Sequence, residues 1–200
     1  MRTAGFRNIP ADGPALLVAN HQSFLDTVAI GLAARRRLNY LARNTLFRNK
    51  AFCWLIESLG AVPINQHGFA REGLTVTLDQ LRAGHAVIVF PEGNRAPDGK
   101  IQEFKPGVHL LIKKMDMPVI PVGIAGAFEA WPRSQLLPAP APLFWPVSKG
   151  CVAVSIGSPL PSRELRELTR DEQMARLEHA VKHEMDRAEE MRRQKRPSRS

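Results

Sequence analysis

An unbroken apolar run at residues 86–90, ended by Pro91-Glu92-Gly93, constrains the fold of this chain more than any other feature. Five apolar residues in a row, bounded by turn-forming residues, predict a strand that is buried on both faces. Such strands occur where helices cover both sides of a parallel sheet. Similar runs predict further strands at residues 15–19, 38–42, 61–64, 119–124 and 151–156.

Helix-length segments separate most of these runs. Their apolar residues recur at three- and four-residue steps, which predicts helices at residues 24–36, 45–59, 71–82, 107–114 and 164–191. Strands that alternate with helices indicate an α/β fold, and no break rich in Pro, Gly or charge divides the 200 residues. We therefore expect a single domain with a mixed or largely parallel central sheet flanked by helices. The last helix should dock through Met174, Leu177, Val181, Met185, Ala188 and Met191.

The positive charge of the chain is concentrated locally. The formal net charge is +9, and no acidic residue lies between Asp26 and Glu57. The basic residues in that stretch are Arg35, Arg36, Arg37, Arg43, Arg48 and Lys50. Such a field attracts phosphates on a lipid head group, on a membrane surface or on nucleic acid. A basic nucleic-acid-binding domain is therefore an alternative class of function, supported only by the charge. No nucleic-acid-binding motif or base-stacking series of aromatic residues accompanies it, so we expect no nucleic-acid partner.

Cysteine usage and hydropathy predict a cytoplasmic location. Cys53 and Cys151 are far apart in segments that we expect to be buried, which favours reduced thiols over a disulfide or a metal site. No run approaches the roughly 20 apolar residues of a membrane span. Residues 1–13 also lack the apolar core of a signal peptide.

A histidine and a carboxylate, His21 and Asp26, stand where the first long strand gives way to a helix. Residues five apart are about 140° apart around a helix, so one of the two must lie off it. A carboxylate in the first helical turn can then reach back to one imidazole nitrogen and leave the other as a base. The alternative is an N-terminal capping box formed by Ser23 and Asp26, a common pattern.

A second polar segment, Pro91 to Arg95, follows the central strand. Because sites in such sheets form at the carboxyl ends of strands, one cleft can hold both His21 and Glu92. Arg95 suits a bidentate grip on phosphate, with Glu92 orienting it. The alternative is an ordinary turn, which Gly and Asn favour.

Three blocks together resemble the glycerolipid acyltransferases, and among them the 1-acylglycerol-3-phosphate acyltransferase type. They are Asn20-His21-Gln22-Ser23-Phe24-Leu25-Asp26, Phe90-Pro91-Glu92-Gly93-Asn94-Arg95 and Val119-Ile120-Pro121-Val122. The resemblance rests on their order and spacing and extends over about residues 9–160. It implies a glycerol-3-phosphate acyltransferase-like fold, with an acyltransferase domain at residues 1–161 and a C-terminal helix and basic tail at residues 162–200.

The resemblance also implies an activity. Such proteins move a fatty acyl group from acyl coenzyme A or acyl carrier protein to the free hydroxyl of a lysophospholipid, here giving phosphatidic acid. The thioester is a co-substrate, and no cofactor is expected. By resemblance, His21 is the general base and Asp26 its partner. The acceptor's glycerol phosphate is bound by Glu92, Gly93, Asn94, Arg95 and Lys105.

Two residues depart from the family pattern. Asn94 stands where Thr is usual, a modest change because both side chains form hydrogen bonds. Gln66 stands where an arginine is usual, and a neutral amide cannot replace a guanidinium on phosphate. Either Arg71 or another base substitutes for it, or the acceptor is a different lysolipid.

We expect a peripheral protein on the inner face of the cell membrane. The candidate contacts are the basic stretch 35–50 and the apolar residues Trp131, Leu136, Leu137, Leu143, Phe144 and Trp145. Alternatively, these aromatic residues simply cover the sheet.

His21 and Asp26 also leave a second type of reaction open. A hydrolase would use His21 to activate water, although the chain has no Gly-x-Ser-x-Gly motif. For acyl transfer, backbone amides at the start of the first helix are candidate oxyanion donors.

Overall fold

The computed structural model describes residues 1–48, 50–64, 69–131 and 151–194. Its strands join in one sheet. They are β1 (Arg2–Ala4), β2 (Ala15–Ala19), β3 (Leu38–Arg43), β4 (Ala61–Ile64), β5 (Ala86–Val89), β6 (Pro118–Ala125), β7 (Ala153–Ile156) and β8 (Leu160–Pro161). The order across the sheet is β1-β7-β6-β2-β5-β3-β4, and β8 also pairs with β6.

The middle of the sheet is parallel. β2 pairs in parallel with β5 and β6, and β3 pairs in parallel with β4 and β5. Both β7 and β8 run antiparallel to β6, and β1 lies parallel to β7. The predicted mixed, largely parallel sheet is therefore confirmed, and the carboxyl ends of β2 to β6 share one edge of the sheet.

Helices cover both faces of the sheet. They are α1 (Leu25–Ala34), α2 (Lys50–Ser58), α3 (Phe69–Arg82), α4 (Gly107–Lys114), α5 (Ala127–Ala130), α6 (Ser162–Glu167) and α7 (Arg170–Arg193), with short 3-10 helices at Phe6–Asn8 and Asn44–Arg48. Leu17 of β2 packs in a cluster with Ile30 of α1. Its neighbour Leu16 packs on the other face with residues of α3, α4 and α7. This alternation follows from the two-residue period of a strand.

The long helix α7 lies directly on the sheet at Gly123 of β6. A Cβ at Gly123 would stand 2.0 Å from the carbonyl carbon of Glu184, so only glycine permits this approach. The side chain of Glu184 is itself buried and accepts a hydrogen bond from Ser155 of β7. Gln173, also buried on α7, bonds to the ring of His109 and to the carbonyl of Leu165. Two polar side chains therefore lie on the buried side of α7, Glu184 against the sheet and Gln173 against α4 and α6.

The C-terminal helical segment differs from the prediction of one helix over residues 164–191. It is divided into α6 and α7, because Thr169 caps the second helix through a reciprocal box with Glu172. The docking face agrees with the prediction in part. Leu177, Val181 and Ala188 are buried as predicted, whereas Met174, Met185 and Met191 are only half-buried. The buried Gln173 and Glu184 were not predicted to belong to this face.

Other differences are smaller. The predicted helix at residues 45–59 begins as the 3-10 helix Asn44–Arg48 and continues as α2. β1 and β8 were not predicted. Both cysteines are free, with Cys151 buried and Cys53 half-buried.

Candidate active site

Three strand ends supply the candidate site. β2 leads into the turn before α1, β5 leads into Phe90 and Pro91, and β6 leads through Gly126 into α5 and Trp131. The buried side chain of Asn20 extends the pairing of β2 with β6. Its Nδ2 donates to the carbonyl of Ile124 at 3.0 Å, and its Oδ1 accepts from the Ile124 amide at 2.8 Å. Asn20 therefore anchors the turn that carries His21.

His21 and Asp26 form the predicted pair. Nδ1 of His21 lies 2.8 Å from Oδ2 of Asp26, and the carboxylate is fully buried while 20% of the imidazole is exposed. With Nδ1–H donating to the carboxylate, Nε2 of the neutral ring carries the lone pair. Among the described residues Nε2 has no hydrogen-bond partner. This is the arrangement that a histidine base requires.

The same carboxylate also organises the turn. Oδ2 of Asp26 accepts from the backbone amides of Gln22 at 2.6 Å and Ser23 at 2.8 Å. The hydroxyl of Ser23 accepts weakly from the Leu25 amide, at 3.3 Å. Only half of the predicted capping box is therefore formed, because Asp26 accepts from the Ser23 amide but no described side chain caps α1, whose N-cap residue is Phe24.

Hydrogen bonds join the first block to the second block and to the residues that follow it. The amide of His21 donates to Oε1 of Glu92 at 2.9 Å, and the carbonyl of His21 accepts from the amide of Ala96 at 2.8 Å. Nε2 of Gln22 donates to the carbonyl of Gly99 at 2.7 Å. The structure therefore holds the two predicted blocks side by side, although they are some seventy residues apart in sequence.

Glu92 is buried, and both of its carboxylate oxygens accept backbone hydrogen bonds. Besides the His21 amide at Oε1, the amide of Gln102 donates to Oε2 at 3.2 Å. Burial raises the pKa of Glu92 to about 7, opposed by these two hydrogen bonds and assisted by the negative charge of Asp26. The side chain is therefore placed to hold the turn, rather than to project into the cleft.

The remaining predicted residues surround the same edge. Gly93 has a left-handed φ of 74°, and a Cβ there would stand 2.7 Å from Nζ of Lys105, so the Lys105 side chain lies over this turn. The amide of Lys105 donates to the carbonyl of Pro91 at 2.9 Å. Asn94 is exposed and Arg95 is half-buried. Their binding roles stay predictions, but the structure brings the cations of Lys105 and Arg95 to the edge that carries His21.

Three aromatic side chains of the site were not predicted to have a role there. The ring of Phe90 stacks on the imidazole of His21. The guanidinium of Arg95 lies over the ring of Phe24, 3.6 Å from its centroid. Trp131 contacts the Phe24 ring from another element. Phe24 and Phe90 lie inside the two motifs, but the motifs alone gave no indication of what the rings would contact.

The other predictions about the site have separate outcomes. The amides of Gln22, Ser23, Leu25 and Asp26 already donate within the turn, so they are not free to serve as oxyanion donors. Gln66 and the apolar residues at 136–145 lie outside the described residues. Arg71 is exposed in the first turn of α3. Across the described ranges, no group of three or more His, Cys, Asp and Glu side chains is placed to hold a metal ion.

The basic stretch is divided between the two ends of β3. Arg35, Arg36 and Arg37 precede the strand, and two of them bond to backbone carbonyls, Arg36 to Pro10 and Arg37 to Glu57. Arg43 and Arg48 are exposed at the carboxyl end, the edge that carries His21. Arg43 lies six positions after Arg37 along the strand, a distance of about 20 Å. No described helix has the combination of length and apolarity needed to cross a membrane.

A histidine oriented by a buried carboxylate, at the carboxyl edge of a parallel sheet and beside cationic side chains, is typical of an α/β enzyme that removes a proton during group transfer or hydrolysis. The profile of the family described as Acyltransferase matches residues 1–125. This chain therefore belongs to the acyltransferase family, as its three blocks indicated.

Two relatives illustrate the similarity of this chain to named proteins. The chain is 29% identical over 134 residues to the chloroplastic 1-acyl-sn-glycerol-3-phosphate acyltransferase BAT2 of Brassica napus, a match that covers 66% of this chain and 39% of that protein. It is 23% identical over 175 residues to the 1-acyl-sn-glycerol-3-phosphate acyltransferase of Bacillus subtilis, which covers 87% and 80% of the two chains. The match to the plant relative spans about two-fifths of that relative's length.

A solved structure shares the fold. The crystal structure of the 1-acyl-sn-glycerophosphate acyltransferase PlsC from Thermotoga maritima aligns with a TM-score of 0.76 and 27% identity. The alignment covers 98% of this chain and 73% of that chain.

Proposed function

We propose that this protein transfers a fatty acyl group from an acyl thioester to the free hydroxyl of 1-acylglycerol-3-phosphate, giving phosphatidic acid. The observation that carries the proposal is the pair formed by His21 and Asp26, held against Glu92 at the edge of the sheet. The activities for which the relatives are named support the acceptor class. The acyl donor is either acyl coenzyme A or acyl carrier protein, and no cofactor takes part.

The reaction needs no nucleophile from the protein. Nε2 of His21 removes the proton of the acceptor hydroxyl while that oxygen attacks the thioester carbonyl. The C–S bond then breaks, and the imidazolium returns its proton to the departing thiolate. Asp26 keeps the proton on Nδ1 and stabilises the imidazolium. General-base assistance of this kind contributes about 10²- to 10⁴-fold to the rate.

The acceptor phosphate is bound by the cations beside the dyad. Arg95 offers a planar fork for two phosphate oxygens, and Lys105 adds a second positive charge over Gly93. Asn94 contributes a hydrogen bond from the exposed turn. Glu92 acts indirectly, since both of its oxygens hold backbone amides.

Gln66, which stands where an arginine is usual in the family, bears on the identity of the acceptor and not on the type of reaction. Arg71, exposed in the first turn of α3, follows the carboxyl end of β4 and is a candidate substitute. If it does not serve, an acceptor with a different head group is the second candidate. A panel of lysophospholipids separates these two cases.

Access to the lipid is peripheral, at the inner face of the cell membrane. The edge of the sheet that carries His21 also carries Arg43 and Arg48, so anionic lipids attract the side of the protein from which the acceptor enters. This orientation places the reacting hydroxyl near the surface of the bilayer.

Thiol release from an acyl thioester tests the proposal. Purified protein is incubated with acyl coenzyme A or acyl carrier protein, with and without detergent-solubilised lysophosphatidate. We expect release only when lysophosphatidate is present, and loss of release in His21→Ala. The matched control is His179→Ala, an exposed histidine on α7, which should retain full turnover.

Circular dichroism of both variants establishes that they are folded. Release that does not depend on an acceptor would identify a hydrolase instead. Release with another lysolipid but not with lysophosphatidate would change the acceptor. Normal turnover by folded His21→Ala would remove His21 from the mechanism.

A further inference from the structure

The ring of Phe24 occupies an unusual position for an apolar side chain. Phe24 lies between His21 and Asp26 in the first block, and 45% of it remains exposed. The guanidinium carbon of Arg95 stands 3.6 Å from the centroid of its ring. A cation at this distance over an aromatic face is attracted by the ring's electron density.

Trp131 and the backbone of α1 also hold the Phe24 ring in place. Trp131 contacts Phe24 with ring centroids 5.5 Å apart and planes tilted by 54°. The hydroxyl of Ser23, the preceding residue, donates to the carbonyl of Trp131 at 2.8 Å. The backbone of Phe24 is helical, with φ of −62° and ψ of −23°, and leads directly into α1. The position of the Phe24 ring is therefore fixed by its neighbours.

The two turns that carry Phe24 and Arg95 are joined by backbone contacts. The amide of Ala96, next to Arg95, donates to the carbonyl of His21. The Arg95 side chain has several rotatable bonds, and each contact of its head group limits the directions that the head group can take. The face of Phe24 provides one such contact, and it does so without using the guanidinium N–H groups, which are the donors to an anion.

From these contacts we infer that Phe24 is a positioning residue for acceptor binding: its ring orients the guanidinium of Arg95 toward the acceptor's phosphate. The inference deepens the proposed function and rests on it for the identity of the acceptor. The chemistry recognised is a phosphate monoester on glycerol. Phe24 itself takes no part in proton transfer, and the acyl donor does not depend on it.

A double-mutant cycle tests the coupling between ring and guanidinium. Phe24→Leu removes the ring and keeps an apolar side chain. We expect the KM for lysophosphatidate to rise about three- to fivefold, the effect of losing one exposed cation–π contact, with kcat and the KM for the thioester unchanged. In the Arg95→Ala background the same substitution should have no further effect. Phe24→Tyr, which keeps the ring, should restore the KM to within about twofold of the wild type.

Binding of sn-glycerol 3-phosphate, followed by calorimetry, gives a readout that does not need turnover. We expect Phe24→Leu to weaken it by the same factor, again only when Arg95 is present. Leu32→Ala is the control, because Leu32 is an exposed apolar residue of the same helix α1, and it should change nothing.

The outcomes distinguish this inference from the proposed function. If the wild-type protein transfers no acyl group to any acceptor, the proposed function fails, and the binding cycle alone decides the role of Phe24. If the protein is active but Phe24→Leu lowers kcat, raises the KM for the thioester, or acts equally in the Arg95→Ala background, only the inference about Phe24 is wrong.

Discussion

The ring of Phe90 stacks on the imidazole of His21, with centroids 4.1 Å apart and planes 21° from parallel. Phe90 is the first residue of the second block, so the two blocks meet through side chains as well as through backbone. The imidazole is therefore restricted on one face by Phe90 and at Nδ1 by Asp26. Such restriction preorganises a base, because its orientation is set before a substrate binds.

Asp26→Asn should reduce both activity and stability. An amide oxygen is a weaker acceptor than a carboxylate, and it cannot support an imidazolium. Turnover should fall by about 10²- to 10⁴-fold. The free energy of unfolding should fall by about 2 kcal/mol or more, because hydrogen bonds to a charged group contribute about 1.5–3 kcal/mol each. Steady-state kinetics and urea unfolding measure the two effects.

Asp79→Asn is the matched control for this substitution. Asp79 is exposed on α3 and pairs with Arg82 at 3.3 Å, a surface contact of small effect. We expect unchanged turnover and a change in unfolding free energy below about 0.5 kcal/mol. Wild-type kcat in folded Asp26→Asn would contradict the assigned role of Asp26.

Glu92 should make stability depend on pH. Its pKa is raised from 4.5 to about 7 in the folded protein, so the native state binds this proton more tightly than the unfolded state. The stabilisation is fully present below about pH 4.5 and is lost as the pH rises through about 7. The unfolding free energy of the wild type relative to Glu92→Gln should therefore decline across this range, by on the order of 3 kcal/mol.

Urea unfolding at half-unit steps from pH 4 to 8 would test this dependence on Glu92. Glu103→Gln, an exposed residue of the same loop, serves as the reference variant and should follow the wild type at every pH. A constant difference between wild type and Glu92→Gln would show that the buried carboxyl is not the cause.

Gly123→Ala should disrupt the contact between α7 and the sheet. The new methyl group would overlap the backbone of Glu184 and Met185, which cannot move without displacing the helix. We expect a loss of about 3 kcal/mol or more in unfolding free energy. Gly31→Ala is the control: a Cβ there meets nothing within 4 Å in the middle of α1, so stability should rise by about 0.5–1 kcal/mol. Equal effects of the two substitutions would contradict the described packing.

The divided basic stretch predicts which arginines bind membranes. Replacing Arg43 and Arg48 together with alanine should weaken binding to phosphatidylglycerol vesicles about 10- to 30-fold, since each basic residue near an anionic surface contributes about 1 kcal/mol. Replacing Arg35 and Arg37, at the opposite end of β3, should have little effect. Co-sedimentation with these vesicles, and with neutral phosphatidylcholine vesicles as a blank, measures the binding. An equal loss for both pairs would show that the orientation is wrong.

Local pattern was sufficient to predict most of the fold. The bounds of β2, β4 and α4 match the prediction residue for residue, because each has a clear apolar pattern and a turn signal at both ends. β1 and β8 have only three and two residues, and what defines them is pairing with strands far away in sequence. The burial of Gln173 and Glu184 on α7 was not predicted for the same reason. These polar side chains can be buried only because residues far away in sequence form hydrogen bonds with them.

The arrangement of the site was predictable in part. Because His21 and Glu92 each follow a parallel strand, the topology alone brings them to one edge. What the sequence could not indicate is the detail of contact: that both oxygens of Glu92 hold backbone amides, or that the Arg95 guanidinium lies on Phe24. These depend on side-chain directions, which follow from the completed packing and have no local pattern of their own.

The three hydrogen bonds at one oxygen of Asp26 affect how the sequences of related proteins should be interpreted. Because that oxygen also ties down the turn, a pseudoenzyme that had lost its chemistry would still be under selection to keep the acid. A retained aspartate in a distant homologue therefore says more about foldability than about turnover, and the imidazole is the better marker when sequences are sorted into active and inactive members.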